Sequence, residues 1–123
     1  MDARGFARDW ERWWNDRDLE PLLARYADDV VVRSPAAARL LGDGVLPDGV
    51  LPDGVLHGRR AVREFWARGL AAVPHLRFAV VGVFEGVGTV VLHHRDQDGR
   101  FGVDVFTFRD GYVVEVVGAA ESR

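Results

Sequence analysis

Asp104 is the residue whose setting most clearly requires a chemical explanation, because it lies in an otherwise apolar stretch, FGVDVFTF at residues 101–108. The β-branched and aromatic neighbours predict a strand in the middle of a sheet. An isolated buried carboxylate is unfavourable, so we expect it to be paired, neutralised or used in chemistry. In a pocket it could transfer a proton. The alternative is a structural carboxylate that accepts a hydrogen bond from an indole or backbone N–H.

His94 is the expected partner of Asp104. The sequence QDG at residues 97–99 fits a three-residue hairpin loop, a type I turn followed by glycine in the left-handed region. Facing residues of the hairpin then have numbers that sum to 196, which places His94 and Asp104 on one face and His93 on the other. A two-residue turn would separate the pair. On one apolar face, an imidazole and a carboxylate are suited to acid–base catalysis.

The composition excludes several kinds of chemistry. The 123 residues fit one domain, and 48% hydrophobic with 28% charged residues is ordinary for a globular protein. There is no cysteine and all 16 basic residues are arginine, so disulfides, thiolate nucleophiles and lysine Schiff bases are impossible. The four histidines, His57, His75, His93 and His94, lack metal-ligand spacing. We therefore expect neither a metal nor a cofactor.

The charge and hydropathy patterns bear on partners and location. A net charge of −3 gives no electrostatic reason to expect nucleic acid or an anionic membrane as a partner. No apolar run approaches the ~18 residues of a membrane span, and the N-terminal residues do not resemble a signal peptide. We expect a cytoplasmic domain.

Helical periodicity dominates the first half of the chain. Phe6, Trp10, Trp13 and Trp14 fall on one helical face, and residues 58–70 repeat that spacing around Phe65 and Trp66. Between them we predict a short helix with Asp18 as N-cap, ended by residues 27–29 and followed by a strand over residues 30–33. These are three helices in the N-terminal half.

Residues 43–57 contain three tandem pentapeptides, DGVLP, DGVLP and DGVLH. Asp-Gly and Pro at every fifth position specify turns, so we predict a loop lengthened by duplication. A tolerated surface expansion is favoured over a pocket lid that carries Leu46 and Leu51.

The second half changes to a period of two, which predicts four strands over residues 76–85, 88–95, 100–109 and 112–120. Helices followed by a strand meander indicate the α+β class, with the helices covering one face of a curved antiparallel sheet. The opposite face would carry a mostly apolar set: Val103, Val105, Thr107, Val113, Val117 and His93. No helix remains to cover this set, so we predict a homodimer packed sheet against sheet.

The order of these pieces resembles the nuclear-transport-factor-two-like superfamily, in its SnoaL-like and ketosteroid-isomerase-like branch. The resemblance extends over nearly the whole chain apart from the repeat. The matching motifs are Trp10 to Asn15, Asp18-Leu19-Glu20, Tyr26 to Val30, Ser34-Pro35, His57-Gly58-Arg59, Val62 to Trp66, Val103 to Phe106 and Arg109-Asp110-Gly111. It implies a cone-shaped α+β barrel with an apolar pocket between helices and sheet, and commonly a homodimer.

The resemblance also implies roles for individual residues. Asp104 falls where ketosteroid isomerases have the protonated aspartic acid of the oxyanion hole. Ser34 falls at their catalytic base and cannot act as a base unaided. Trp10 falls at their oxyanion tyrosine, where an indole N–H can donate a hydrogen bond but is not a general acid. The last strand lacks the aspartate that SnoaL-type cyclases and limonene-type epoxide hydrolases have there. The known mechanisms of these relatives are therefore not expected.

Two functions remain open. The first is an enzyme that performs cofactor-free acid–base chemistry (isomerisation, cyclisation or hydrolysis) on a small hydrophobic carbonyl compound, polyketide-like or terpenoid-like, with Asp104 and His94 as catalytic residues. The second is a non-catalytic domain that binds a small hydrophobic ligand or only dimerises. In both, the expected ligand-binding residues are Trp10, Trp14, Ser34, Phe65, Trp66, Val90, Leu92, Phe106, Val116 and Gly118.

Overall fold

The computed structural model describes residues 2–37 and 54–122. The helices are α1 (Ala3–Asn15), α2 (Glu20–Ala24) and α3 (Arg59–Ala72), and residues 35–37 form a further helical turn. The strands are β1 (Tyr26–Arg33), β2 (Val55–His57), β3 (Ala79–Gly86), β4 (Thr89–Arg95), β5 (Phe101–Arg109) and β6 (Tyr112–Ala120). In neither described segment is any helix long and apolar enough to cross a membrane.

The strands form one open sheet in the order β2-β1-β6-β5-β4-β3. Strands β3 to β6 pair as an antiparallel meander, and β1 joins the far side of β6 in parallel. Helix α1 packs along β3, whereas α3 packs on β1 and β2. The predicted α+β class is confirmed, and the parallel β1–β6 pair is an addition to the antiparallel sheet that the sequence predicts.

Helix α1 buries the apolar stripe that its sequence predicts. Its N-cap is Asp2, whose side chain accepts a hydrogen bond from the Gly5 N–H at 2.8 Å. Phe6 and Trp10 are 2% and 3% exposed. The Phe6 ring contacts Phe106 edge to face, with 5.0 Å between ring centroids, so the helix is fixed onto the middle of the sheet.

The polar face of α1 supports the beginning of β3. Asn15 donates from Nδ2 to the Phe78 carbonyl oxygen and accepts from the Phe78 N–H at Oδ1, both at 2.8 Å. The Val80 N–H donates to Glu11 Oε2 at 2.6 Å. Because β3 is an edge strand, these side chains satisfy backbone groups that no neighbouring strand can reach.

Two predictions about the region after α1 are wrong. Helix α2 begins at Glu20, after Leu19 with no side-chain cap, so Asp18 is not its N-cap. Residues 27–29 belong to β1, which starts at Tyr26. The physical reason is tertiary pairing: the Val113 N–H donates to the Arg25 carbonyl oxygen at 2.8 Å, so the chain enters the sheet as soon as α2 ends.

The loop prediction for the repeat is wrong for residues 55–57. These residues form β2, antiparallel to β1, with Leu56 opposite Val32 and fully buried. Burial of the leucine and pairing with an open edge outweigh the turn tendency of Asp-Gly. The other repeat residues, 43–53, with Leu46 and Leu51, lie outside the described residues.

The predicted hairpin register is confirmed. Asp104 faces Leu92 and Gly102 faces His94, as a three-residue loop requires. Gly99 has φ of 78°, in the left-handed region.

The prediction that Val113 lies on the outer face is wrong, because it is fully buried in the core. Thr107 faces Glu115 whereas Phe108 faces Val113. Val114 is therefore an extra residue in β6, a β-bulge. It shifts the alternation of inward and outward side chains by one position, so Val113 points inward.

Candidate functional site

His94 on β4 and Asp104 on β5 lie side by side on the inner face of the sheet. The Nε2 atom of His94 is 3.3 Å from Oδ2 of Asp104. The imidazole side chain is 13% exposed and the carboxylate side chain 24%. The sequence-based prediction that the pair shares one face is therefore correct, whereas its catalytic role remains a prediction.

The contact within this pair is close but not aligned. Nε2 of His94 is buried and has no hydrogen-bond partner among residues 2–37 and 54–122. The imidazole of His94 and the carboxylate of Asp104 are therefore close neighbours, but they do not form a hydrogen bond with acceptable geometry. A buried polar atom without a partner costs about 1–3 kcal/mol, so Nε2 of His94 is an unsatisfied polar group within the described residues.

Aromatic rings hold the imidazole of His94 on two sides. The ring of Trp10 is tilted by 31° to it, with 5.2 Å between centroids. Phe78 approaches edge to face, also at 5.2 Å. Since Asn15 fixes the backbone of Phe78, helix α1 determines both walls of the imidazole site.

The predicted tryptophans form a continuous chain of contacts that leads away from His94. Trp10 lies 6.4 Å from Trp14 between centroids, Trp14 lies 5.2 Å from Trp66, and Trp66 lies 5.5 Å from Tyr26. Three elements, α1, α3 and β1, therefore bring their aromatic residues to one side of the sheet. Trp10, Trp66 and Tyr26 are 3%, 7% and 3% exposed, so these rings are part of the core, and their binding of a flat apolar ligand remains a prediction.

Tyr26 is a site residue that the sequence reasoning missed. It is 3% exposed, and burial, followed by the negative charge of Asp104, raises its pKa well above the ordinary value of 10.0. The phenol therefore stays protonated and can act as a neutral hydrogen-bond donor near Asp104. The available signal was its hydroxyl, the only polar group among the inward-facing residues Leu19, Leu22, Leu23 and Tyr26 of the predicted second helix.

The other predicted ligand-binding residues divide into two groups. The apolar ones, which are 7% exposed or less, pack in the core: Phe65, Val90, Leu92, Phe106 and Val116. Gly118 faces Asp104 on the neighbouring strand. The hydroxyl of Ser34 accepts a hydrogen bond from the Ala37 N–H at 3.3 Å, so it caps the helical turn at residues 35–37.

Two concavities in the described part of the chain lie elsewhere. One, of about 350 Å³, is on the outer face and is lined by His93, Phe101 and Val103 among others. The other, of about 390 Å³, lies beside Phe78, Arg77 and Arg95. Neither is lined by Asp104 or His94, so the apolar pocket expected beside that pair remains a prediction.

The described residues include no group of three His, Cys, Asp or Glu side chains that could hold a metal ion. The chemistry that the arrangement can support is proton transfer. A carboxylate and an imidazole lie 3.3 Å apart, and the charge of the carboxylate acts on the protonated phenol of Tyr26; these are groups that enzymes use for general acid–base catalysis.

Comparison with known proteins gives a family and a fold. Residues 7–116 match the family model of the SnoaL-like domain. The crystal structure of a SnoaL-like protein of unknown function from Burkholderia thailandensis is 31% identical, with a TM-score of 0.82 over 98% of this chain and 95% of that one. No curated protein matches the chain.

Two further solved structures share the fold at lower identity. TerC, co-crystallised with polyporic acid, is 22% identical with a TM-score of 0.70, covering 90% of this chain and 85% of that one. A putative polyketide cyclase from Sinorhizobium meliloti is 13% identical with a TM-score of 0.68, covering 89% of each chain.

Proposed function

The chain belongs to the SnoaL-like domain family, and from that premise we propose that it is an acid–base enzyme that acts on a small hydrophobic carbonyl compound. The observation that carries the proposal is the buried Nε2 of His94, which has no hydrogen-bond partner in the described segments and lies 3.3 Å from Asp104. The family and its polyketide-cyclase-like and polyporic-acid-bound neighbours support a pocket protein, and a polyketide-like or terpenoid-like ligand is part of the proposal.

Each polar group has a role in this proposal. The carboxylate of Asp104 removes a proton from the carbon next to the carbonyl group, and His94 takes up that proton after a reorientation that aligns Nε2 with Oδ2, which is 3.3 Å away. Tyr26, which remains protonated, donates a hydrogen bond to the carbonyl oxygen as negative charge develops there. Trp10, Trp14 and Trp66 form the surface that holds the apolar part of the substrate.

The test is exchange of the proton next to the carbonyl. Hydrophobic cyclic ketones and enones that raise the melting temperature would be incubated with the protein in D₂O, and loss of the proton signal would be followed by NMR. We expect Asp104→Asn to lower the exchange rate by about 10²–10⁴-fold, the contribution typical of a general base. Asp110→Asn is the matched control, because Asp110 is exposed in the β5–β6 turn. Equal rates in wild-type protein and Asp104→Asn would refute the role of Asp104.

A second candidate function is ligand binding without turnover. The observation that favours it is Ser34, whose hydroxyl caps a helical turn at the position where related isomerases have their base. In that case the same compounds would raise the melting temperature of wild-type protein, but the exchange rate would equal that of the buffer.

We also propose that the chain forms a homodimer through the outer face of the sheet. That face carries Val103, Val105 and the 36%-exposed Val117, together with Phe84 at 59% exposure. An apolar surface of this kind is stabilised by a second copy. Sedimentation at micromolar concentration should give the mass of two chains, and Val105→Arg should give one. A wild-type species of one chain's mass would reject the proposal.

A further inference from the structure

Both polar residues of the site lie against a glycine on the neighbouring strand. Gly102 on β5 faces His94, and Gly118 on β6 faces Asp104. A β-carbon at position 102 would lie 2.8 Å from Cε1 of His94, and one at position 118 would lie 3.0 Å from Oδ1 of Asp104. Both distances are shorter than van der Waals contact. Each polar side chain therefore occupies space that a side chain at the facing glycine would need.

Backbone conformation does not explain these two glycines. The glycines with φ in the left-handed region are at positions 54, 58, 88, 99 and 111 in the described residues, and neither Gly102 nor Gly118 is among them. An alanine could adopt either backbone conformation, and it would lose less conformational entropy on folding. At both positions the atom nearest to an added β-carbon belongs to the polar side chain, whereas the nearest backbone oxygens, of Ala119 and Arg33, are 3.2 and 3.4 Å away.

We propose that Gly102 and Gly118 are positioning residues for the His94–Asp104 pair. The imidazole occupies the space over Gly102, and the rings of Trp10 and Phe78 each lie 5.2 Å from it between centroids. In this position Nε2 of His94 lies 3.3 Å from Oδ2 of Asp104 on β5. The other carboxylate oxygen, Oδ1, lies over Gly118. A methyl group at position 102 would push the imidazole out of this arrangement. A methyl group at position 118 would displace the carboxylate.

The inference rests on the proposed function, since it assigns residues to the same acid–base pair. Its test requires no substrate, so the two can fail separately. The four variants Gly102→Ala, Gly118→Ala, His94→Ala and Asp104→Ala would be made singly and in pairs, and the midpoint of urea unfolding would be measured for each. Gly69→Ala is the control without a collision, because no atom outside its own helical segment lies within 4 Å of a β-carbon placed there; it should raise the midpoint slightly, as alanine does in a helix.

The two glycines should couple to different partners. Gly102→Ala should lower the midpoint in the wild-type background, and at least half of that loss should disappear in His94→Ala but not in Asp104→Ala. Gly118→Ala should show the opposite preference. In NMR spectra, the Cε1–H signal of His94, which the Trp10 ring shifts, should move in Gly102→Ala and stay in place in Gly69→Ala.

The proposal is overturned if each glycine substitution lowers the midpoint equally in all backgrounds and the His94 signal does not move. If Gly102→Ala alone fails to fold, the His94→Ala/Gly102→Ala pair decides. A folded double variant supports the proposal, and an unfolded one overturns it, because the collision would then involve the backbone rather than His94.

Discussion

The wild-type protein should lose stability above pH 10, and replacing Tyr26 with phenylalanine should remove part of that loss. Burial and the charge of Asp104 raise the pKa of Tyr26 in the folded protein, whereas in the unfolded chain the phenol has the ordinary value of about 10. Below pH 10 the proton is bound in both states, so stability does not depend on pH through this group. Above pH 10 the unfolded chain releases the proton first, and the folded state is progressively destabilised.

The size of this effect follows from the linkage relation. While only the unfolded state ionises, each pH unit lowers the free energy of unfolding by about 1.4 kcal/mol per tyrosine. The expected loss through Tyr26 is therefore about 1.4 kcal/mol at pH 11. The sequence makes this measurement unusually clean, because it has no lysine and no cysteine and only two tyrosines. Arginine does not titrate in this range.

The assay is urea unfolding followed by tryptophan fluorescence at pH values from 8.5 to 11. Tyr26→Phe should show a free energy of unfolding that varies less with pH, and Tyr112→Phe is the matched control because Tyr112 is 52% exposed. In Tyr112→Phe, which retains only Tyr26, the tyrosinate absorbance at 295 nm should appear together with unfolding. Ionisation near pH 10 in a protein that is still folded would refute the reasoning.

Three other predictions concern packing and support of the site. Leu56→Ala should lower the free energy of unfolding by about 2–5 kcal/mol in urea denaturation, because this leucine is fully buried, and a loss below 1 kcal/mol would show that β2 is not packed. Deleting residues 48–52, one whole repeat copy, should change it by less than about 1 kcal/mol because loop entropy varies slowly with length, and a larger loss would show that the insert is packed. Asn15→Ala removes both hydrogen bonds to Phe78 and should cost about 1–3 kcal/mol; an unchanged His94 Cε1–H signal in this variant would contradict the support of the imidazole site by α1.

The site pair could be predicted from the sequence because a short loop determined it. Gly99 provides the left-handed residue that a three-residue hairpin needs, and the side chain of Asp96 accepts hydrogen bonds from the N–H groups of Asp98 and Arg100 at 2.9 and 3.0 Å. A loop of known length fixes every facing pair in the two strands. The positions of His94 and Asp104 followed directly from local chemistry.

The residues that were misplaced depend on distant parts of the chain. The sequence pattern predicts Tyr26 at the end of a helix, but Tyr26 lies in a strand because β6 is available as a parallel neighbour. Val113 was assigned to the outer face, since VVEVV at residues 113–117 gives no sign of an extra residue at Val114. Propensity is a weak guide where pairing partners are far apart in sequence.

The parallel pair of β1 and β6 also determines when the chain can fold. In the sheet order, β6 is the strand that joins β2 and β1 on one side to β5, β4 and β3 on the other. A nascent chain that has not yet reached residue 112 therefore contains two half-sheets with no common neighbour. Such distant pairing slows folding, because the entropy of closing a long loop must be overcome before the contacts form. We expect His94 and Asp104 to come together when the β4–β5 hairpin forms, and Tyr26 to take its place only after β6 has paired with β1.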